Sequence, residues 1–164
     1  MVTFREAMPT DPTAAALLDQ YFAARADGFP SGRAYRRPTV DAAQFAPPGG
    51  VFLLLEGENL AGEPADVGCG GIRTIPDGPL GSRREVKHVW VQPHARRIGA
   101  GRSLMLELER RARESGAREL VLDTHDAQTA AGALYASLGF APVEPFNDNP
   151  NATLWLGKPL APAD

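Results

Sequence analysis

Arg96, Gly99 and Gly101 stand in the order Arg-x-x-Gly-x-Gly inside the stretch 85–116, EVKHVWVQPHARRIGAGRSLMLELERRARESG. These residue types at this spacing suit a pyrophosphate. Two glycines remove the Cβ atoms that would hold a phosphate away from the backbone. A helix beginning at such a turn directs its unpaired first N–H groups and the positive end of its dipole at the same anion. Arg96, Arg97 and Arg102 add positive charge, and Ile98, Ala100 and Ser103 complete the expected cradle. Spacing decides against two other phosphate sites. The P-loop requires lysine and then serine or threonine after its second glycine, where this chain has Arg102 and Ser103. The dinucleotide fingerprint requires a third glycine, where Leu104 stands.

The elements that must position this turn flank it directly. Val86, Val89, Trp90 and Val91 supply the β-branched and aromatic content of a strand, and Pro93 ends it. Beyond the turn, Leu104, Met105, Leu108 and Ala112 share one face of an amphipathic helix that stops at Ser115-Gly116. The chain before it predicts a short strand over 2–7 and a helix from Asp11-Pro12 to about residue 25, carrying Ala15, Leu18, Tyr21 and Phe22 inward. Residues 27–50 are broken repeatedly by glycine and proline, with one short helix near 40–45; a long irregular stretch of this kind is usually functional or mobile. Strands are expected over 51–56 and 66–75. After the central stretch come a strand over 119–124, a small-residue helix over 128–138, and strands over 140–143 and 153–156. The order β-α-(irregular)-β-β-β-α-β-α-β-β predicts an α/β (α+β) fold with a mixed sheet and helices on both faces.

Composition bounds the rest. The chain has 164 residues, 43% of them hydrophobic, enough for about one domain with a real core. A formal net charge of −3 argues against nucleic acid as a partner. Cys69 is the single cysteine, which excludes an internal disulfide framework and suits a reducing cytoplasm; in a strand of small residues it reads as a buried structural thiol. No apolar run reaches the ~20 residues that span a bilayer, and no signal peptide is seen, so neither membrane nor secretion is expected.

The Arg96-x-x-Gly99-x-Gly101 turn resembles the acetyl-coenzyme-A signature of the GNAT superfamily of N-acetyltransferases, [Gln/Arg]-x-x-Gly-x-[Gly/Ala]. Three further matches extend the resemblance to nearly the whole chain. Val89-Trp90-Val91-Gln92-Pro93 is similar to the fourth strand of that family. Leu134-Tyr135-Ala136-Ser137-Leu138-Gly139-Phe140 is similar to its Leu-Tyr-x-x-x-Gly-Phe element. The segment 145–152, followed by Trp155 and Lys158, resembles a subset of bacterial members. The resemblance implies one N-acetyltransferase domain over 1–164, with a mostly antiparallel sheet of about seven strands that splays between strands 4 and 5. It implies acetyl-CoA as co-substrate, no metal, a cytoplasmic setting and a small-molecule amine as acceptor, and leaves a homodimer open. A protein or peptide amine, or an idle coenzyme-A sensor, is the alternative.

The implied chemistry is transfer of an acetyl group from a thioester to an amine, with no covalent enzyme intermediate. Tyr135 matches the tyrosine that stands beside the sulfur in relatives and is the candidate acid; as a bare residue it also fits a core aromatic in register with Ala131 and Leu138. Glu85, eleven residues before Arg96, is the candidate base, acting through water. Its alternative is a solvated strand-end charge paired with Arg83, Arg84 or Lys87. His88 and His125 are rival bases, and strand alternation sets His88 opposite Glu85 unless a bulge intervenes. A backbone N–H near Trp90 or Val91 is expected to meet the carbonyl oxygen, and Gln128 stands where relatives often have a cofactor-bonding asparagine. The segments 29–37 and 146–151 are expected to line the acceptor side. There Arg33, Arg36 and Arg37 beside Tyr35 are either a carboxylate site or surface charges.

Overall fold

The computed structural model describes residues 2–30 and 34–163, and of Arg97 the backbone alone. Strands β1 (Thr3–Glu6), β2 (Val51–Glu58), β3 (Pro64–Gly78), β4 (Gly81–Val91), β5 (Glu119–Thr124), β6 (Ala141–Pro142) and β7 (Leu154–Pro159) form one sheet. Their spatial order is β1-β2-β3-β4-β5-β7-β6, in which β4 and β5 are parallel and every other pair is antiparallel. Helix α1 (Pro12–Asp27) covers one face, and α2 (Ala100–Glu114) and α3 (Thr129–Ser137) lie on the other. The expected order of elements and mixed sheet are both present. β6 is shorter and β7 longer than their sequence patterns predict.

The continuous apolar run of β2 is explained by burial on both sides. Leu53 and Leu55 join a core with Leu104, Met105, Leu108 and Ala112 of α2, while Phe52 and Leu54 join another with Leu17, Leu18 and Phe22 of α1. A Cβ at Gly70 would lie 3.2 Å from Val89 and 3.3 Å from Leu108, so the missing side chain lets α2 seat closely on β3 and β4.

Two irregularities in β4 open the sheet and set which side chains line the opening. First, its parallel pairing with β5 covers Arg83↔Glu119, Arg84↔Leu120 and Glu85↔Val121 and then stops, so the two strands part beyond residue 85. The expected splay is there. Second, Cys69↔Trp90 is followed by Gly71↔Lys87, a step of two residues on β3 against three on β4. The extra residue is a bulge around His88, whose φ of 60° is left-handed. Val86, Val89 and Val91 consequently pack into the α2-side core, whereas His88 and Trp90 pack on the α1 side. Simple alternation fails at this point, and His88 does not oppose Glu85.

Candidate active site

The splay opens the sheet from both faces. On one side lies a cleft of about 620 Å³ between the 96–102 turn and the start of α3; on the other is a cavity of about 100 Å³ beneath α1. The two share Tyr21, Arg25, Val89, Gln128, Ala131 and Tyr135, so these residues mark the junction between them.

The mouth of the cleft is formed by the start of α2. Gly99 caps α2 with φ 75° and ψ 19°, a left-handed conformation that glycine adopts without a Cβ clash. No side chain caps this helix, and its first backbone bond runs from Ser103 N–H to the Gly99 carbonyl at 3.0 Å. The earlier N–H groups are left to face the cleft. Val89, Trp90, Val91, Arg96, Gly99, Gly101, Arg102, Gln128 and Tyr135, all expected on the cofactor side, line it. Ala100 is instead fully buried in the α2 core, Ile98 is 69% exposed, and neither they nor Ser103 line the cleft with side chains. The Arg97 side chain lies outside the described atoms. Arg96 is held in place: its Nε donates to the Val91 carbonyl at 2.8 Å and its guanidinium lies 4.8 Å over the Trp90 ring.

Backbone alternation decides between the two candidate amides on β4. Gln92 N–H donates to Val67 of β3 at 2.8 Å. In an antiparallel ladder Trp90 therefore also turns to β3, and Val91 turns its N–H and C=O to the open side. The Arg96 bond to the Val91 carbonyl agrees. Val91 is the free donor.

At the junction, burial pushes the Tyr135 phenol up to about 12, with Arg25 opposing and Asp123 reinforcing the shift. Its ring meets Phe140 edge-on at 6.0 Å. Tyr21 stands beside it, also raised above the ordinary phenol range by burial. The sequence pattern marked Tyr21 only as a core position of α1.

Glu85 is 1% exposed, so it is not a solvated strand-end charge. Arg73 Nε donates to Oε1 at 2.8 Å and Lys87 Nζ lies 3.2 Å from Oε2. Of the three cations expected as partners, Lys87 alone pairs with it; Arg83 and Arg84 bond elsewhere. Glu85 does not line the cavity. Lys87 joins it to Asp123, which does, with Nζ 3.2 Å from Oδ1. Asn147 Nδ2 donates to Asp123 Oδ2 at 2.6 Å, and Asn147 in turn accepts from Trp155 Nε1 at 2.9 Å. This Glu85–Lys87–Asp123 chain was not legible in the sequence.

His88 lines the cavity among Tyr21, Phe22 and Phe45. Burial, with Lys87 and Arg73 adding, pushes it down to about 3, so its ring is neutral. His125 is buried against Phe29, and its Nδ1 accepts from the Ala127 N–H at 3.0 Å; it lines neither opening. Cys69 is buried and unpaired, its thiol pushed up to about 12 by burial, as a structural residue should be.

The two loops expected on the acceptor side meet there. Arg36 N–H donates to Asn151 Oδ1 at 3.1 Å and Asn151 Nδ2 to the Arg36 carbonyl, bringing Tyr35, Asn149 and Asn151 to the cavity wall. Arg36 and Arg37 themselves do not line it; Arg37 pairs with Asp19 at 2.6 Å. Arg33 lies outside the described residues. Two cations stand in the wall, Lys87 of β4 and Arg25 of α1. Among the described residues no cluster of His, Cys, Asp and Glu could hold a metal ion, and no helix is long and apolar enough to cross a membrane.

The sheet is splayed at its one parallel pair among the described strands, and an uncapped helix N-terminus stands at the mouth of the opening. Residues 16–140 match the model of the Acetyltransferase (GNAT) family, and the chain belongs to that family. A structure from Klebsiella pneumoniae subsp. pneumoniae assigned to the acyl-CoA N-acyltransferases is 29% identical, with a TM-score of 0.73 over 98% of this chain and 99% of that one. A GNAT family acetyltransferase from Elizabethkingia anophelis with acetyl-CoA bound shares the fold at 16% identity and TM-score 0.62, over 97% of this chain and 98% of that one. The IAA acetyltransferase of Azospirillum brasilense is 40% identical over 97 residues, 57% of this chain. The matched stretch spans 61% of that relative's length.

Proposed function

We propose that this chain is an acetyl-CoA-dependent N-acetyltransferase that moves the acetyl group to a primary amine by direct attack, and that the acceptor is a small molecule. The observation carrying this is the Tyr135 phenol, at the junction between a cleft that begins at a helix N-terminus and a cavity that holds a carboxylate. The free first-turn amides of α2 suit a diphosphate, and the unpaired edge of β4 suits an amide-bearing arm leading to the junction.

Each residue then has one task. An alkylammonium, of pKa near ~10, must lose a proton before it attacks. Asp123 is the carboxylate that lines the cavity and takes that proton, directly or through water, while Lys87 and Glu85 hold it from behind. Glu85 thus supports the base in place of serving as it. Val91 N–H meets the carbonyl oxygen as negative charge grows there. As the C–N bond forms and the C–S bond breaks, Tyr135 gives its proton to the departing thiolate. The phenol's high pKa keeps it protonated at neutral pH.

Free-thiol release from acetyl-CoA across a panel of amines tests the proposal, alongside melting temperature with acetyl-CoA, NAD or ATP. Acetyl-CoA alone should raise the melting temperature, since a ligand of the folded state stabilises it by mass action. A shift with NAD or ATP and none with acetyl-CoA refutes the reading.

A further inference from the structure

The acceptor cavity carries one cation that has no carboxylate partner among the described residues. Lys87 is met by Glu85 and Asp123, Arg73 by Glu85, and Arg37 by Asp19. Arg25 lines the cavity half-buried and forms no ion pair among the described residues; its guanidinium rests 5.6 Å from the Tyr35 ring centroid. A cation in a helix's last turn also complements the dipole. That role asks only for a place at the helix end, not for one in the wall of a cavity.

We propose that the acceptor is a compact amino acid, whose carboxylate is bound by Arg25 while its ammonium faces Asp123. This rests on the transferase reading above and names the substrate class of the same site. An acceptor amine arrives as a cation. Beside an unpaired guanidinium a plain alkylammonium meets like charge, whereas an amine carrying its own carboxylate meets a fork of N–H donors matched to that group. Asp123, already tied to Lys87 and Asn147, supplies the opposite charge within the same cavity. Arg25, Asp123 and Tyr135 line the same cavity, so a ligand held there meets all three. Size agrees as well. A cavity of about 150 Å³ holds a benzene-sized molecule, and this one of about 100 Å³ takes the amine, α-carbon and carboxylate with little more. A peptide N-terminus has an amide in place of that carboxylate and leaves Arg25 unanswered.

The test compares kcat/KM for a panel of free amino acids with that for the carboxamide of each, in the wild-type chain and in Arg25→Gln and Arg25→Lys. The wild type should favour the acid at least tenfold, although the carboxamide's amine loses its proton more readily. Arg25→Gln should bring the ratio to near one, and Arg25→Lys should recover part of it. Because the readout is a ratio, general loss of activity does not mimic the result, and the wild-type comparison stands even if a variant fails to fold. The proposal is overturned if the wild type uses carboxamides as well as acids. It is also overturned if the preference survives Arg25→Gln while only the KM for acetyl-CoA rises, which would make Arg25 a cofactor-side residue. Simple amines acetylated without any preference sink this inference and leave the transferase reading intact; no melting shift with acetyl-CoA and no thiol release from any amine sinks both.

Discussion

At the residue scale the proposed mechanism turns on two groups, Tyr135 and Asp123. Tyr135→Phe keeps the ring against Phe140 and removes only the hydroxyl. General acid help is typically worth ~10²–10⁴ in rate, so turnover should fall at least tenfold while acetyl-CoA still raises the melting temperature. Full turnover in the variant would return Tyr135 to the core. The two carboxylates should separate just as cleanly. Asp123→Asn should lower kcat/KM most at pH values below the amine's pKa, and the loss should shrink as free amine becomes abundant. Glu85→Gln should instead act on stability, because it leaves Arg73 and Lys87 beside a buried neutral group. Removing one partner of a buried ion pair costs about 3–5 kcal/mol; Lys87 keeps Asp123 and Arg73 keeps Gln44, which places this case at or below the lower end. If denaturant unfolding leaves Glu85→Gln as stable as the parent while turnover collapses, the roles assigned to the two acids must be exchanged.

At the element scale the turn before α2 offers a sharper test than either glycine suggests in isolation. Gly99 sits at φ 75°, where a β-branched residue is strained. Gly99→Val should therefore cost about 1–3 kcal/mol in stability, whatever it does to ligand binding. Gly101 is helical, and a Cβ there would stand at ordinary contact, 3.6 Å from Leu134. Gly101→Val should keep the melting temperature of the free protein within a few degrees and abolish the shift with acetyl-CoA, because its methyl groups project into the cleft that Gly101 lines. A retained shift would mean that the phosphates sit elsewhere.

At the scale of the whole molecule, the bulge in β4 couples stability to pH. It turns His88 into a pocket formed by Tyr21, Phe22 and Phe45, with Lys87, Arg73 and Asp123 as the charged groups acting on it. The ring's pKa falls from 6.5 unfolded to about 3 folded. Below 6.5 the unfolded chain binds a proton that the folded chain refuses, so stability rises with pH across this window. It is complete above about pH 6.5 and is lost as pH drops toward 3, at up to about 1.4 kcal/mol per unit. His88→Asn, chosen because asparagine tolerates the left-handed backbone, should be less stable at pH 7 yet lose less between pH 6.5 and 4. Parallel losses in both proteins, followed by denaturant unfolding, would assign the acid sensitivity to other groups.

What could be read from the chain alone was whatever depends on neighbours in sequence. The 96–101 turn, the strand before it and the amphipathic helix after it form one local unit, and their pattern is enough to expect a helix N-terminus at that turn. The same holds for Tyr135, which lies within a short element bounded by Gly139-Phe140. The acceptor side was legible only as two irregular segments. The tertiary structure alone decided which side chains face the cavity. A strand's side chains follow the ladder register, and one extra residue opposite Cys69–Gly71 moved His88 to the face of Glu85. Lys87 meets Asp123 across 36 positions and Arg36 meets Asn151 across 115. Arg25, an unremarked residue at the end of α1, stands in the cavity wall without an ion pair among the described residues because α1 packs on β4 where the sheet parts. Charge pairing at such separations is set by chain folding, and no spacing rule along the sequence encodes it.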